Sequence, residues 1–401
     1  MNVAYYSPLP PSRSGVADYS ALLLPALSER IDVTVAQPGR FRRMPAGDAA
    51  LYHVGNDPEA HGWIVQALRR RPGVVVLHDF VLHHLVSGMT LARGDAGAYL
   101  DALEREHGLA GRLLGYAVVD NRIPPLWETR PEDFPLAGEV LRLATGLVCH
   151  SRYVESRVRE AGFGGPLWRI PHPAWPVPQL EPAAAEGEPL IGCFGHLNES
   201  KRIPELLVAF ARLRESRPEA RLLLVGPASR RLEGLEAPEG VLREDYVPEQ
   251  RLWGLMAACD VCVALRAPTM GETSGSAIRA LSLGCPLVVS DVGWFSELPT
   301  DVALRIPPDE GEVEALHAAL ELLARDEALR RAMGAAAFEL AERQHALGHV
   351  ADLYASALEE AAGGTAVREA VLGEVAQAAA DVGLRETAHL AEQLDEVGLG
   401  G

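Results

Sequence analysis

Leu190-Ile191-Gly192-Cys193-Phe194-Gly195-His196-Leu197-Asn198-Glu199-Ser200-Lys201 reads as a buried strand running into a glycine turn ahead of a helix. An apolar run without alternation suits a strand covered on both faces, as in parallel sheets. Helical spacing resumes over Ile203–Arg214, so the segment is one βα unit. Its turn carries Lys201, the single lysine among 37 basic residues. An ammonium beside the free amides of a helix start suits a phosphate. The bland alternative is a solvated lysine at a helix start; the lysine-free background favours phosphate, and Arg202 offers a second cation.

The same βα rhythm continues on both sides. Downstream lie strand Arg221–Val225 ending in Gly226-Pro227, helix Pro248–Ala258, strand Val261–Leu265, helix Gly275–Leu283 and strand Leu287–Ser290. Upstream, the proline-dense Pro171–Pro178 and the stretch Gln179–Pro189 read as a linker. Before it comes another series: strands Val3–Tyr6, Val33–Ala36, Leu51–Val54, Val74–Leu77 and Gly146–Cys149, with helices Val16–Ser28, Glu59–Arg70 and Ser151–Ala161 between them. Asp95–Tyr116 reads as one long helix or two, an insertion beyond a minimal crossover. The expected fold is α/β: two Rossmann-like, doubly wound domains facing an interdomain cleft, with C-terminal helices. The expected boundaries are 1–172, a linker at 173–189, 190–345, and helices over 346–401. Leu347, Val350, Leu353, Tyr354 and Leu358 give Ala341–Ala362 an apolar helical face, expected to cross back to the N-terminal domain. Further helices are expected beyond Gly364.

Ligands of such sheets bind beyond the C-terminal strand ends. After the first strand, Ser7–Val16 opens a helix through Gly15; it suits a polar or anionic ligand, or simply connects. His78-Asp79 ends another strand. His78 can hydrogen-bond a polar ligand in a defined tautomer, or be a packed ring beside an Asp79 that caps a helix Phe80–Leu85. His83 and His84 point about 100° apart on that helix, which argues against a metal site with His78. Met270-Gly271-Glu272-Thr273-Ser274-Gly275-Ser276-Ala277 opens a helix, and its small residues leave the amides of Thr273–Ser276 open to phosphate. The carboxylate of Glu272 suits hydroxyl groups, or stabilises the helix dipole alone.

These turns together resemble the retaining glycosyltransferases of family 4, of the two-Rossmann GT-B fold. The likeness covers residues 1 to about 345 and rests on Gly195-His196-Leu197 with Lys201, Gly226-Pro227, Tyr246-Val247-Pro248 and Met270–Pro286. It implies metal-independent transfer of a sugar from a nucleotide-diphosphate donor to an acceptor. It assigns Lys201 to the diphosphate, Gly195, Gly226 and the turn Gly271–Ser276 (Glu272, Thr273, Ser274, Gly275, Ser276) to phosphate and sugar. Val247 borders the base, Gly15 marks the N-terminal loop and His78 contacts the sugar. Two positions depart from the pattern. His196 stands where the family often has arginine, and Gly271 and Arg279 stand where it often has two glutamates, leaving Glu272 one step displaced. The competing reading is a catalytically silent nucleotide-sugar binder that regulates another transferase. A phosphorylase or epimerase is a third.

Composition narrows the partners. With 401 residues, 48% hydrophobic and 23% charged, the chain is long enough for two cores. A formal charge of −18 opposes nucleic acid and anionic lipid surfaces. No apolar run reaches membrane-spanning length, and Met1–Tyr6 reads as a strand rather than a signal peptide. Five scattered cysteines suit a reducing cytoplasm, with Cys259 and Cys262 read as packing. No Asp-x-Asp triplet or His/Cys cluster suggests a metal, so no cofactor is expected.

Overall fold

The computed structural model describes residues 1–39, 44–180, 187–363, 373–375 and 377–378. The chain divides into two units, Met1–Ile170 with the segment that begins at Ala351, and Pro171–Val350. In the first unit the strands are β1 (Asn2–Tyr6), β2 (Asp32–Val35), β3 (Ala49–Val54), β4 (Gly73–Leu77), β5 (Ala144–Cys149) and β6 (Leu167–Arg169). They form one parallel sheet in the order β2-β1-β3-β4-β5-β6. The central β3 and β4 are buried along their whole length, the pattern of strands covered on both faces.

The second unit holds β7 (Leu190–Phe194), β8 (Arg221–Val225), β9 (Val241–Glu244), β10 (Val261–Ala264), β11 (Leu287–Ser290) and β12 (Ala303–Ile306). Their order is β12-β11-β10-β7-β8-β9, again parallel. Counted from β7, this is the 3-2-1-4-5-6 order of dinucleotide-binding sheets, and its reversal point lies between β7 and β10. Ile191, Phe210, Leu222, Leu224, Val263 and Leu320 belong to the core beneath it.

The edge strands β6, β9 and β12 have no counterpart in the sequence reading. They are three or four residues long and only partly buried, so they lack a continuous apolar run. The insertion is a helix Ala96–Val119 interrupted at Gly108, whose φ of 62° and ψ of −159° break it in two. The helix after β4 starts at His83, not Phe80, and has no side-chain cap. Asp79 Oδ2 instead accepts the Asn56 amide at 2.8 Å, tying the ends of β3 and β4 together.

Pro171–Leu180 forms neither helix nor strand and belongs to the second unit. His172 and Trp175 are buried there; of the expected linker at 173–189, residues 181–186 lie outside the described residues. From Ala351 the helix Leu347–Ala362 packs with the first unit. Tyr354 Oη lies 2.7 Å from Tyr19 Oη, and Trp168 Nε1 donates to Glu360 at 2.8 Å. The helices expected beyond Gly364 fall largely outside the described residues.

Candidate active site

Two strand ends meet at the reversal point of the second sheet, and each carries charge. Beyond β7 the chain makes a short turn, Glu199–Lys201, before the helix Ile203–Ser216. Lys201 is buried, and its Nζ donates to the Phe194 carbonyl. Burial, with the nearby Arg266 guanidinium, brings its pKa down to about 8. Gly195 has φ of 93°, and a Cβ there would stand 3.2 Å from Lys201 Nζ. Glycine suits this left-handed backbone and keeps a side chain from crowding the ammonium.

Beyond β10 stands Arg266, which the sequence reading missed. Its Nη1 donates to Ser200 Oγ at 2.9 Å, and its Nε lies 2.6 Å from Glu272 Oε1. Its amide donates to Ser290 Oγ at 2.8 Å, so the end of β11 and the turn after β7 both fix it. The available signal was position, a cation directly after a strand of the reversal point. Glu272 engages both oxygens. Oε1 faces Arg266, while Oε2 accepts the Met270 amide at 2.7 Å and Thr269 Oγ1 at 3.1 Å. The carboxylate thus shapes its own loop and holds Arg266, which the sequence reading did not foresee. Two cations and one carboxylate leave a positive excess in a largely buried place, and such a place calls for an anion.

The helix Gly275–Ser282 points its N-terminus from the same loop. Ser274 Oγ caps the Ala277 amide at 3.3 Å. The amides of Gly275 and Ser276 have no intrahelical acceptor, as at any helix start. Thr273 Oγ1 is buried and without a protein partner. Ammonium, guanidinium, helix amides and an orphaned hydroxyl are the kinds of group that bind a multiply charged oxyanion.

The other expected residues take different places. Arg202, in the left-handed conformation, turns to Glu312, with Nε 2.8 Å from its Oε2, and to Glu205 at 3.0 Å. Neutralised by two carboxylates, it holds the helix start rather than offering a second open cation. His196 is exposed on the turn. Val247 is half-buried beyond β9, and Tyr246 is 70% exposed. A cavity of about 340 Å³ opens beside these strand ends, lined by Leu197, Gly226, Pro227, Glu244 and Asp245. Arg279 lies over the Trp175 ring at 3.7 Å and reaches toward Glu249 at 3.6 Å. Gly15 and His78 belong to the first unit. Gly15 opens the helix Gly15–Ser28, capped by Ser14, and is exposed. His78 is buried beyond β4, its Nε2 2.9 Å from His53 Nδ1. His83 bonds to Phe134 O and Tyr99 Oη, and His84 is exposed. Among the described residues no three His, Cys, Asp or Glu side chains could hold a metal ion. All five cysteines are free and buried, and no described helix is long and apolar enough to cross a membrane.

Gly226 locks the turn. Its φ is 133°, and a Cβ would stand 2.3 Å from the Gly195 carbonyl oxygen, backbone that cannot yield. Gly226→Ala is expected to cost about 2–3 kcal/mol. Thermal denaturation should show a midpoint roughly 5–10 °C lower for a domain of this size; an unchanged midpoint would mean the two turns do not touch.

Residues 180–340 match the family model described as Glycosyl transferases group 1. Among solved structures, sucrose-phosphate synthase from Thermosynechococcus elongatus is similar over 90% of this chain and 98% of its own, at 18% identity and a TM-score of 0.60. HepE of Anabaena, solved with UDP and glucose, is similar over 90% of this chain and 100% of its own, at 16% identity and 0.59. The pneumococcal O-GlcNAc transferase GtfA, solved with UDP and GlcNAc, covers 80% of this chain and 58% of its own, at 12% identity and 0.54. No curated protein matches the sequence. The structural likenesses, at 12–18% identity, show the GT-B fold, and the match to the glycosyl transferase model, residues 180–340, lies within the second unit.

Proposed function

We propose that this chain transfers a sugar from a nucleotide-diphosphate donor to an unidentified acceptor, with retention at the anomeric carbon and without a metal ion. The observation that carries the reading is the cation pair Lys201–Arg266 beside the Gly275–Ser282 helix start, at the reversal point of a dinucleotide-type sheet. A departing diphosphate gains negative charge, and preorganised donors aimed at that charge stabilise it without reorganisation. The cavity beside Gly226 and Glu244 has room for a base, with Val247 at its border. UDP, the nucleotide bound to HepE and GtfA, is the first to test. In this reading Glu272 acts through the loop and Arg266, and His78 keeps the sugar contact that the family resemblance assigns to it. Retention comes from the family resemblance: the acceptor attacks from the leaving-group face, so no separate nucleophile is required.

Release of nucleoside diphosphate from a panel of nucleotide sugars, with and without added acceptor, tests the assignment. Slow hydrolysis of one donor by the purified protein is the expected result; binding without any turnover would mean a silent binder. Activity is also expected to survive EDTA, because side chains and amides meet the leaving-group charge. Complete loss in chelator, restored by Mg²⁺ or Mn²⁺, would overturn the metal-free scheme.

A further inference from the structure

Beneath His78 lies a second imidazole that the proposed chemistry does not use. His53 sits in β3, fully buried, its ring 4.7 Å from that of Tyr5, 5.7 Å from Tyr19 and 5.2 Å from His78. Its own carbonyl pairs with His61 Nδ1 at 3.0 Å. Of its two ring nitrogens, Nδ1 lies 2.9 Å from His78 Nε2, while Nε2 is buried without a partner. Desolvation holds the His53 ring neutral, with buried His150 and His61 adding to the effect. A neutral ring has one proton to place. On Nε2 it would be a buried donor with no acceptor, costlier than a bare lone pair in the same spot. The proton therefore sits on Nδ1, and Nδ1 donates to His78 Nε2.

We propose that His53 is a positioning residue that fixes the tautomer of His78, forcing the His78 proton onto Nδ1 so that this nitrogen is the donor His78 presents. The activity part rests on the assignment of His78 to the donor sugar; the tautomer part stands on the first unit alone. A wrong tautomer leaves geometry intact and still removes function, because the ring then offers a lone pair where a proton is needed.

The test combines ring NMR with kinetics. In protein labelled with ¹⁵N-histidine, long-range ¹H–¹⁵N correlations distinguish the two neutral tautomers, with His78 assigned by its loss in His78→Asn. The Nδ1–H pattern is expected in the wild type, and a shift toward Nε2–H in His53→Phe. His53→Asn puts an amide where Nδ1 was, and is expected to restore the wild-type pattern. With the donor that the wild type turns over, His53→Phe should lower kcat by about tenfold, with KM within about twofold, and His53→Asn should recover most of it. An Nε2–H pattern for His78 in the wild type overturns the proposal, as does an unchanged kcat in His53→Phe. If the wild type turns over no nucleotide sugar, the functional reading fails, and the wild-type ring spectrum still decides the tautomer. Should His53→Phe not fold, the wild-type spectrum and the His53→Asn kinetics decide it: loss of kcat in His53→Asn with the Nδ1–H pattern retained would contradict the role.

Discussion

Lys201→Ala is expected to lower turnover of the nucleotide-sugar donor by about 10²–10³, roughly 3–4 kcal/mol of transition-state stabilisation, with the fold intact. The ammonium is a point charge whose attraction grows as the diphosphate leaves. Lys201→Arg keeps the charge, yet should lose at least about tenfold. The planar fork has a different shape from the compact ammonium, and Lys201 is buried, with its Nζ against the Phe194 carbonyl. The pH profile provides an independent check. Lys201 carries its proton below about 8, so kcat/KM for the donor should fall as pH rises through that value. In Lys201→Arg the limb should vanish. Stability runs the other way. The folded pKa lies below the ordinary 10.5, so the buried ammonium costs stability in full below about pH 8, and the cost is relieved between about 8 and 10.5. Removing the charge should therefore not lower the melting temperature at pH 7. Near wild-type rates in both variants would make Lys201 a structural residue.

Arg266→Met should cost about 10² in kcat/KM for the donor, since it removes a preorganised charged donor from the same anion site. A second readout separates this from a packing defect. Arg266 depresses the Lys201 pKa, so its loss should move the alkaline limb of the profile upward. The double variant should lose less than the product of the single losses, because both groups act on one leaving group. A lower rate with the limb unmoved would assign Arg266 to loop structure alone.

The contrast between these two residues shows what the sequence could reveal. Lys201 is legible because strand, glycine turn and helix stand in one short run, so its place beyond a strand end follows locally. Arg266 acquires meaning only when the sheet order brings β10 beside β7, a pairing that no local pattern encodes. Glu272 illustrates the same limit. Its spacing suggested a ligand contact, whereas its carboxylate is engaged by two groups of its own loop and by Arg266. Arg202 looked like an open cation until the helix Glu312–Arg325 brought Glu312 against it. The central strands were legible as apolar runs, and the short edge strands were not, because a half-solvated strand keeps its polar residues. His53 in β3 and His150 just after β5 stood in plain view, but a single buried histidine reads as packing until the His53 ring is seen to stack with His78 and the His150 ring to tilt against it.

In the proposed scheme the second unit holds a diphosphate through Lys201 and Arg266. Thermal denaturation of the wild type and of Lys201→Met, scanned with UDP, GDP, ADP, CDP and TDP at pH 7, addresses it most directly. A ligand that binds only the folded state raises stability by about 2.7 kcal/mol at one hundred times its dissociation constant. At least one nucleoside diphosphate is expected to raise the wild-type midpoint, the matching nucleoside is not, and the rise should disappear in Lys201→Met although the unliganded variant melts no lower. Equal stabilisation of wild type and variant, or no response to any nucleoside diphosphate, would contradict it.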